Sequence, residues 1–374
     1  MDPGSNSSQD SSANMEKIAK KEDVETNIDR LTELPEPLII RILSFLEMKD
    51  AVNTDTVAKS LRHLWTHVDS IVFFFNAMPN GDYIERFIAF ADRTMPRCAC
   101  PNIKKFVLHF YHDPGAENGP FLNEMFFNWV HRAFENNVEF LGLQINDLTI
   151  EPPEWFYQSL FLIRLKLYDV ILGSSFVRQI DWPSLRSLNL KRVEINNEQM
   201  AQLLSGCPQL DTMVLDRVSH IITSLNFTSK SMKTLKLIHL DRDDDEIPLQ
   251  IKASWLQELI MTKEFWGFNC HFLNMSSMRK ADLSFTVLGV DTDEYWVDVQ
   301  RFNVATELLK TVCNVEELVI GPVLILVRLL LHNSDTFVNH IPHIERALTF
   351  LHLNLGMRTY FKINYKMLIW IMHL

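Results

Sequence analysis

The sequence predicts an α/β fold: a small helical unit near the N-terminus, then an irregular solenoid whose short parallel strands form a curved inner sheet. Three observations carry this expectation. The pattern L-x-x-L-x-L, with other apolar residues allowed, begins at Val138, Leu162, Leu185, Leu210, Met232, Leu256 and Met278, at steps of 22 to 25 residues. Looser copies begin at Ile103 and Val315 after longer steps, which imply insertions. A proline-headed apolar stretch at 35–46 precedes all of them and follows a polar leader. A period in this range is the signature of leucine-rich repeats, whose units cannot bury their inner faces alone and are stabilised by stacking on neighbours. One such pattern is weak evidence, because any amphipathic segment can produce it; a near-regular succession is strong evidence. The asparagine that usually follows the last leucine is missing from most copies, so an irregular stack is expected.

Taken in order, residues 1 to 28 are rich in Ser, Asn and charge and poor in apolar residues, the composition of a disordered leader. In "DRLTELPEPLIIRILSFLEMKDAV", Pro37 is expected near the first position of a helix, where its missing N–H costs nothing, and Glu36 outside it. The helix should run to about Glu47. Projected at roughly 100° per residue, Leu38, Ile39, Ile42, Leu43, Phe45 and Leu46 cover an arc of roughly 160°, wider than a one-sided surface helix needs. The excess predicts two buried faces, one for the chain's own core and one for something else. "DAVNTDTVAKSLRHLWTHV" continues at helical spacings through Ala51, Val52, Val57, Leu61, Leu64, Trp65 and Val68, and "YIERFIAFADRTM" is a further amphipathic helix. Each repeat is then a short strand with inward leucines and a variable return. "NNEQMAQLLSGCPQL" makes a helical return, and "DWPSL" and "GCPQL" a tight re-entry into the next strand.

Composition narrows the function. The 374 residues are 47% apolar, ample for a core, with net charge −11 and pI about 5.6. Nucleic-acid and membrane-surface binders need a basic face, so neither partner is expected. Five irregularly spaced cysteines fit a reducing compartment. No apolar h-region opens the chain, and "GPVLILVRLLL" is too short to span a bilayer and carries Arg328. There is no Gly-rich phosphate loop, G-x-S-x-G or H-E-x-x-H, so an enzyme is not expected. Cys98 and Cys100 with His109 and His112 lack zinc-ligand spacing and read as reduced thiols. The acidic run at 241–246 lacks the Gly and Glu of a calcium loop and reads as a solvated turn. No metal or cofactor is expected, and no dense basic cluster is present to hold a polyphosphate.

The segment from Asp29 to Val68 resembles the F-box of plant F-box/leucine-rich-repeat proteins. The matching elements are Asp29-Arg30, Leu34-Pro35, "ILSFL" at 42–46, "KDAV" at 49–52, Lys59 and "LW" at 64–65; "IKKFVL" and "SGCPQLDTMVL" resemble that family's repeats. The likeness covers about residues 29 to 325. With it the chain divides into a leader (1–28), an F-box (29–72), a helical connector (73–98), leucine-rich repeats (99–330) and a tail or cap (331–374), the last unlike the family's C-terminal domain. The resemblance implies that the F-box binds a Skp-type adaptor, and through it a cullin, making the chain a non-catalytic subunit of a ubiquitin ligase in the nucleus and/or cytoplasm. Leu34, Pro35, Ile39, Leu43 and Leu46 are the expected adaptor contacts, and Trp65 belongs to the core. The repeats would present a protein substrate. Arg164, Lys166, Tyr168, Asn189, Lys191, Asp216, Lys236, Glu258 and Lys280, between and after the leucines, should line the concave face, though any single one is equally a solvated polar position. Two positions depart from the family: Pro37 stands where an acidic residue is usual, and Leu61 where Trp is expected. They motivate the alternative reading, a leucine-rich-repeat interaction scaffold that no longer engages the ligase.

Overall fold

The structure, a computed structural model, describes residues 31, 33–76, 82–111, 119–150, 152–172, 180–218, 222–239, 248–264, 270–286, 308, 311–312, 315–321 and 361–363. The leader, Asp29-Arg30, His112, the 241–246 run and all of 331–374 except 361–363 lie outside the described residues. Two compact units emerge, one ending at Val68 and one beginning at Asp69.

The N-terminal unit opens with α1, Glu36–Leu43. Pro35 is its N-cap, and Leu38 and Ile39 both donate to the Pro35 carbonyl, at 2.9 and 3.2 Å. Glu36 is therefore helical, one residue earlier than expected; a carboxylate in the first turn meets the positive end of the helix dipole, which offsets the bias against helix before Pro37. The helix also stops at Leu43 rather than Glu47. Ser44 donates both its N–H and its hydroxyl to the Ile40 carbonyl, each at 2.9 Å. The next two N–H groups reach only three residues back, Phe45 to Ile42 and Leu46 to Leu43, each at 3.0 Å, which tightens and ends the turn. After α2, Met48–Asn53, the expected long helix is three 3₁₀ turns at Thr54–Thr56, Lys59–Leu61 and Leu64–His67. His63, left-handed at φ 65°, breaks the run, and its N–H is held by the Asp55 carboxylate at 2.7 Å. Ile39, Leu43, Met48, Ala51, Leu61, Trp65 and Val68 form this unit's core.

The second unit is built on an eleven-stranded sheet. Its strands are β1 (Ser70–Asn76), β2 (Lys105–Tyr111), β3 (Phe140–Ile150), β4 (Arg164–Leu172), β5 (Ser187–Glu194), β6 (Thr212–Asp216), β8 (Thr234–Ile238), β10 (Glu258–Glu264), β12 (Lys280–Thr286), β13 (Glu317–Ile320) and β14 (Phe361–Ile363). They run side by side in that order and in parallel, except that β14 pairs antiparallel on the edge of β13. A second sheet of three strands, β7 (Ser224–Asn226), β9 (Leu249–Lys252) and β11 (Cys270–Leu273), is built from the return segments. The helices of this unit are α3 (Asp82–Thr94), α4 (Gly119–Glu135) and α5 (Asn197–Gly206). The leucine-rich-repeat solenoid is thus present, N-terminal helices followed by parallel strands.

Register turns the repeat into rows. Ile71, Phe106, Leu141, Leu165, Leu188, Met213, Leu235, Leu259, Ala281 and Leu318 stand opposite one another across neighbouring strands, and all are buried. Leu167, Leu190, Leu215 and Leu237 form the next row. Identical re-entry turns feed the strands, with Leu185, Leu210 and Leu256 each donating to the carbonyl three residues back, at 3.1 to 3.2 Å. The helical return at α5 starts with a capping box: Asn196 accepts from the Gln199 N–H while the Gln199 side chain accepts from the Asn196 N–H, both at 2.9 Å. Where α5 ends, a Cβ on Gly206 would stand 2.3 Å from the Ile180 carbonyl oxygen, so only glycine fits there.

Besides the return strands and β14, two further elements differ from the sequence expectation. β1 begins inside the span read as F-box and ends inside that read as connector, yet Val68-x-x-Ile71-x-Phe73 fits the loosened repeat pattern. α4 lies in the long step between the copies at Ile103 and Val138; its Leu122, Met125, Phe126, Trp129, Val130 and Ala133 are buried at helical spacing, and Trp129 Nε1 donates to the Asp92 carboxylate of α3 at 2.7 Å.

Candidate functional site

The expected contact residues fall on two surfaces, one on each unit. On the N-terminal unit the apolar arc of α1 is real, but its inward side is not the expected one. Ile39 and Leu43, expected as adaptor contacts, are only 2% and 4% exposed and pack in the unit's own core. Leu34 and Leu46 are half-buried, and Pro35 is exposed. The large apolar side chains of this unit left in water are Leu31 (39%), Leu38 (52%), Ile42 (40%), Phe45 (76%) and Val57 (71%). Arg41, next on the helix, places its guanidinium 5.1 Å from the Phe45 ring centre. A helical projection shows the width of an arc but not which side turns inward, and the projection no longer holds for Phe45, which lies past the helix end. Leu61 is buried at 1%, so its loss of area relative to Trp acts on the unit's packing; Pro37 is exposed in the first turn.

On the second unit, strand alternation leaves one face of the large sheet without leucines. All nine expected residues lie on it. Arg164, Glu258 and Lys280 occupy one row, Lys166, Asn189 and Lys236 the next, and Tyr168, Lys191 and Asp216 a third. Arg164 and Lys280 are exposed and the others half-buried. The same face continues through Phe74 on β1, Lys105, His109 and Tyr111 on β2, and Phe140 and Gly142 on β3, which sequence reasoning missed because it placed no candidates before β4.

The third row ends in a rim of ion pairs. Asp169, Arg192, Arg217 and His239 hold equivalent positions in successive repeats and all are left-handed, at φ 57°, 49°, 51° and 47°. Such backbone costs a non-glycine residue about 1–2 kcal/mol and needs outside support. Arg217 and His239 donate their N–H groups to Ile238 and Thr262 carbonyls, each at 2.9 Å. The buried Asp169 carboxylate takes a two-pronged contact from Arg192, through Nε and through Nη2 at 2.6 Å. Lys191 and His239 approach the Asp216 carboxylate at 3.6 and 3.5 Å. Tyr168 accepts a hydrogen bond from the Asn189 amide at 3.2 Å; burial and the nearby Asp216 charge hold its phenol above the usual value.

Among the described residues no three His, Cys, Asp or Glu side chains come together as metal ligands. Burial pushes the Cys98 thiol up to about 12, and its hydrogen-bond acceptor is the Thr94 carbonyl; Cys207 is likewise pushed up to about 12. Neither has the electropositive, solvent-open surroundings of a reactive thiol.

Known proteins have related sequences. Residues 127–290 match the repeat family described as "FBD-associated F-box protein At5g56370, LRR repeats". The Arabidopsis thaliana F-box/LRR-repeat protein At1g55660 is 30% identical over 319 residues, covering 72% of this chain and 83% of its own length. F-box/LRR-repeat protein At3g03360 of the same plant is 24% identical over 308 residues, with coverage of 78% and 59%. The putative F-box/FBD/LRR-repeat protein At4g00315 is 30% identical over 228 residues, with coverage of 57% and 50%. The chain thus spans between half and three-fifths of the length of the last two.

Proposed function

Since this chain belongs to the plant F-box/leucine-rich-repeat family, we propose that it is the substrate-recognition subunit of a Skp–cullin–F-box ubiquitin ligase. The observation that carries the reading is the exposed set Leu38, Ile42, Phe45 and Val57 on a unit that already has its own core. Leu38, Ile42 and Phe45 stand four and three residues apart along α1 and its end, and an exposed apolar patch of this kind marks an interaction site. In this reading the set meets a Skp-type adaptor, which connects to a cullin. The open face of the repeat sheet holds a protein substrate. The chain supplies no reacting group; it raises the local concentration of substrate near the transferred ubiquitin. Nucleus and cytoplasm are the compartments that go with this work.

The test is co-purification of the full chain with a plant Skp-type adaptor and cullin. A stoichiometric complex supports the reading. A well-folded chain that captures no adaptor favours the scaffold alternative instead.

A further inference from the structure

The open face of the sheet is not uniform. From β6 onward four carboxylates have partners on the same face: Asp216 meets Lys191 and His239, Glu258 accepts from the Thr234 hydroxyl at 3.1 Å, Glu317 meets Lys280 at 3.3 Å, and Asp282 is bonded by Ser284. From β1 to β5 the three outward rows, through Phe74, Lys105, His109, Phe140, Arg164 and Lys166, carry no carboxylate; Asp169, on the rim beside Gln144, is taken up by Arg192. This occurs in a chain of net charge −11.

Here Phe140 organises the cations. Arg164 and Lys166 both approach its ring, at 5.4 and 5.5 Å from the centre. Neither has a carboxylate partner among the described residues, so their charge is left for a ligand. Gly142 lies between Phe140 and Val107 on this face, where a Cβ would stand 3.2 Å from Val107 Cγ2. Beside this cluster, Phe74 and Tyr111 leave their rings exposed, with Phe74 5.7 Å from the His109 ring.

We propose that the β1–β5 half of the open face binds an acidic peptide segment, its carboxylates on Arg164, Lys166 and Lys105 and an aromatic or aliphatic side chain on Phe74 and Tyr111. The inference rests on the reading of the repeats as the partner-holding part, and it names the chemistry they select. Unpaired cations on an acidic protein draw in anionic partners and discriminate against basic ones. Exposed rings give the segment an apolar anchor. A few cations are too sparse for the phosphate tracking that drives nucleic-acid affinity, so a peptide is the better match.

The experiment selects a phage-displayed random dodecapeptide library on the full chain, without adaptor, and repeats it on Arg164→Glu/Lys166→Glu and on Lys236→Glu/Lys280→Glu. Folding is checked by melting temperature, with Arg164→Gln/Lys166→Gln as the milder pair should the charge reversal fail to fold. The proposal expects peptides rich in Asp and Glu with Phe, Trp or Leu, kept by the Lys236/Lys280 variant and lost by the Arg164/Lys166 variants. Fluorescence anisotropy of a selected peptide should weaken roughly tenfold or more in those variants and weaken with salt. Selection of basic or uncharged peptides, failure to select any, equal binding by the Arg164/Lys166 variants, or tighter capture of a labelled oligo(dT) would each overturn it. The adaptor plays no part in this measurement, so its outcome stands apart from the co-purification above.

Discussion

Leu188 and Leu38 show how differently the two units treat an apolar side chain. Leu188 lies in an inner row of the sheet, flanked by Leu165 on one strand and Met213 on the other, and is wholly enclosed. Leu38 lies on α1, one residue from the core position Ile39, and is half in water. In the repeats every inward leucine is covered by the copies beside it, because the period places like residues opposite like. The N-terminal unit is too small to cover its whole arc. An apolar residue there is either core, as Leu43 and Trp65 are, or exposed, as Leu38 and Phe45 are. The same residue type is therefore enclosed in one unit and, on the proposed reading, reserved for the adaptor in the other.

The largest effects should come from breaking enclosure. Leu188→Ala is expected to cost about 2–5 kcal/mol, the range for a buried Leu truncated in a packed core. Chemical denaturation followed by circular dichroism reads this; an unchanged midpoint would mean that Leu188 is not enclosed. Leu43→Asp belongs to the same class, since its charge would be buried without a partner, and should unfold the N-terminal unit rather than simply weaken adaptor binding. Gly206→Ala comes next, at about 1–3 kcal/mol, because the added methyl meets a backbone carbonyl that cannot swing away. Asp169→Asn should follow at about 1–2 kcal/mol, through loss of the charged contact to Arg192, an exposed guanidinium that water partly compensates. Thermal melts of these variants should fall in that order.

A smaller effect sharpens the same contrast chemically. At pH 8 the Cys98 and Cys207 thiols, both pushed up to about 12 by burial, remain protonated and should react with iodoacetamide far more slowly than the half-buried Cys100. Peptide mapping after a short native exposure reads the order, and equal labelling would show that the enclosure opens easily.

The repeats were legible because their spacing is a physical constraint: strands that stack must bring their leucines into register. Even so, the pattern leaves open which of Met213 and Leu215 stands beside Leu188; register gives that place to Met213 and puts Leu215 in the next row. Pattern alone cannot distinguish two inner positions of one strand when both are apolar. β1 was passed over because its copy of the pattern uses Val68, Ile71 and Phe73 instead of leucines and precedes the next copy by a long insertion. Helix α1 was legible from its prolines and its arc, but its end was not, since Ser44 closes it through side-chain and backbone bonds that spacing does not reveal. The open face was legible from β4 onward. Its aromatic and cationic character on β1 to β3 becomes visible only once Phe74, Lys105 and Phe140 are placed beside Arg164.

The measurement closest to the central claim is adaptor binding by isothermal titration calorimetry with wild type, Leu38→Asp/Phe45→Ala and Arg41→Ala, each checked for folding. The account predicts wild-type binding, a loss of roughly thirtyfold or more in the double variant with its melting temperature unchanged within a few degrees, and a small change for Arg41→Ala. Equal adaptor affinity for wild type and a folded Leu38→Asp/Phe45→Ala chain would contradict it.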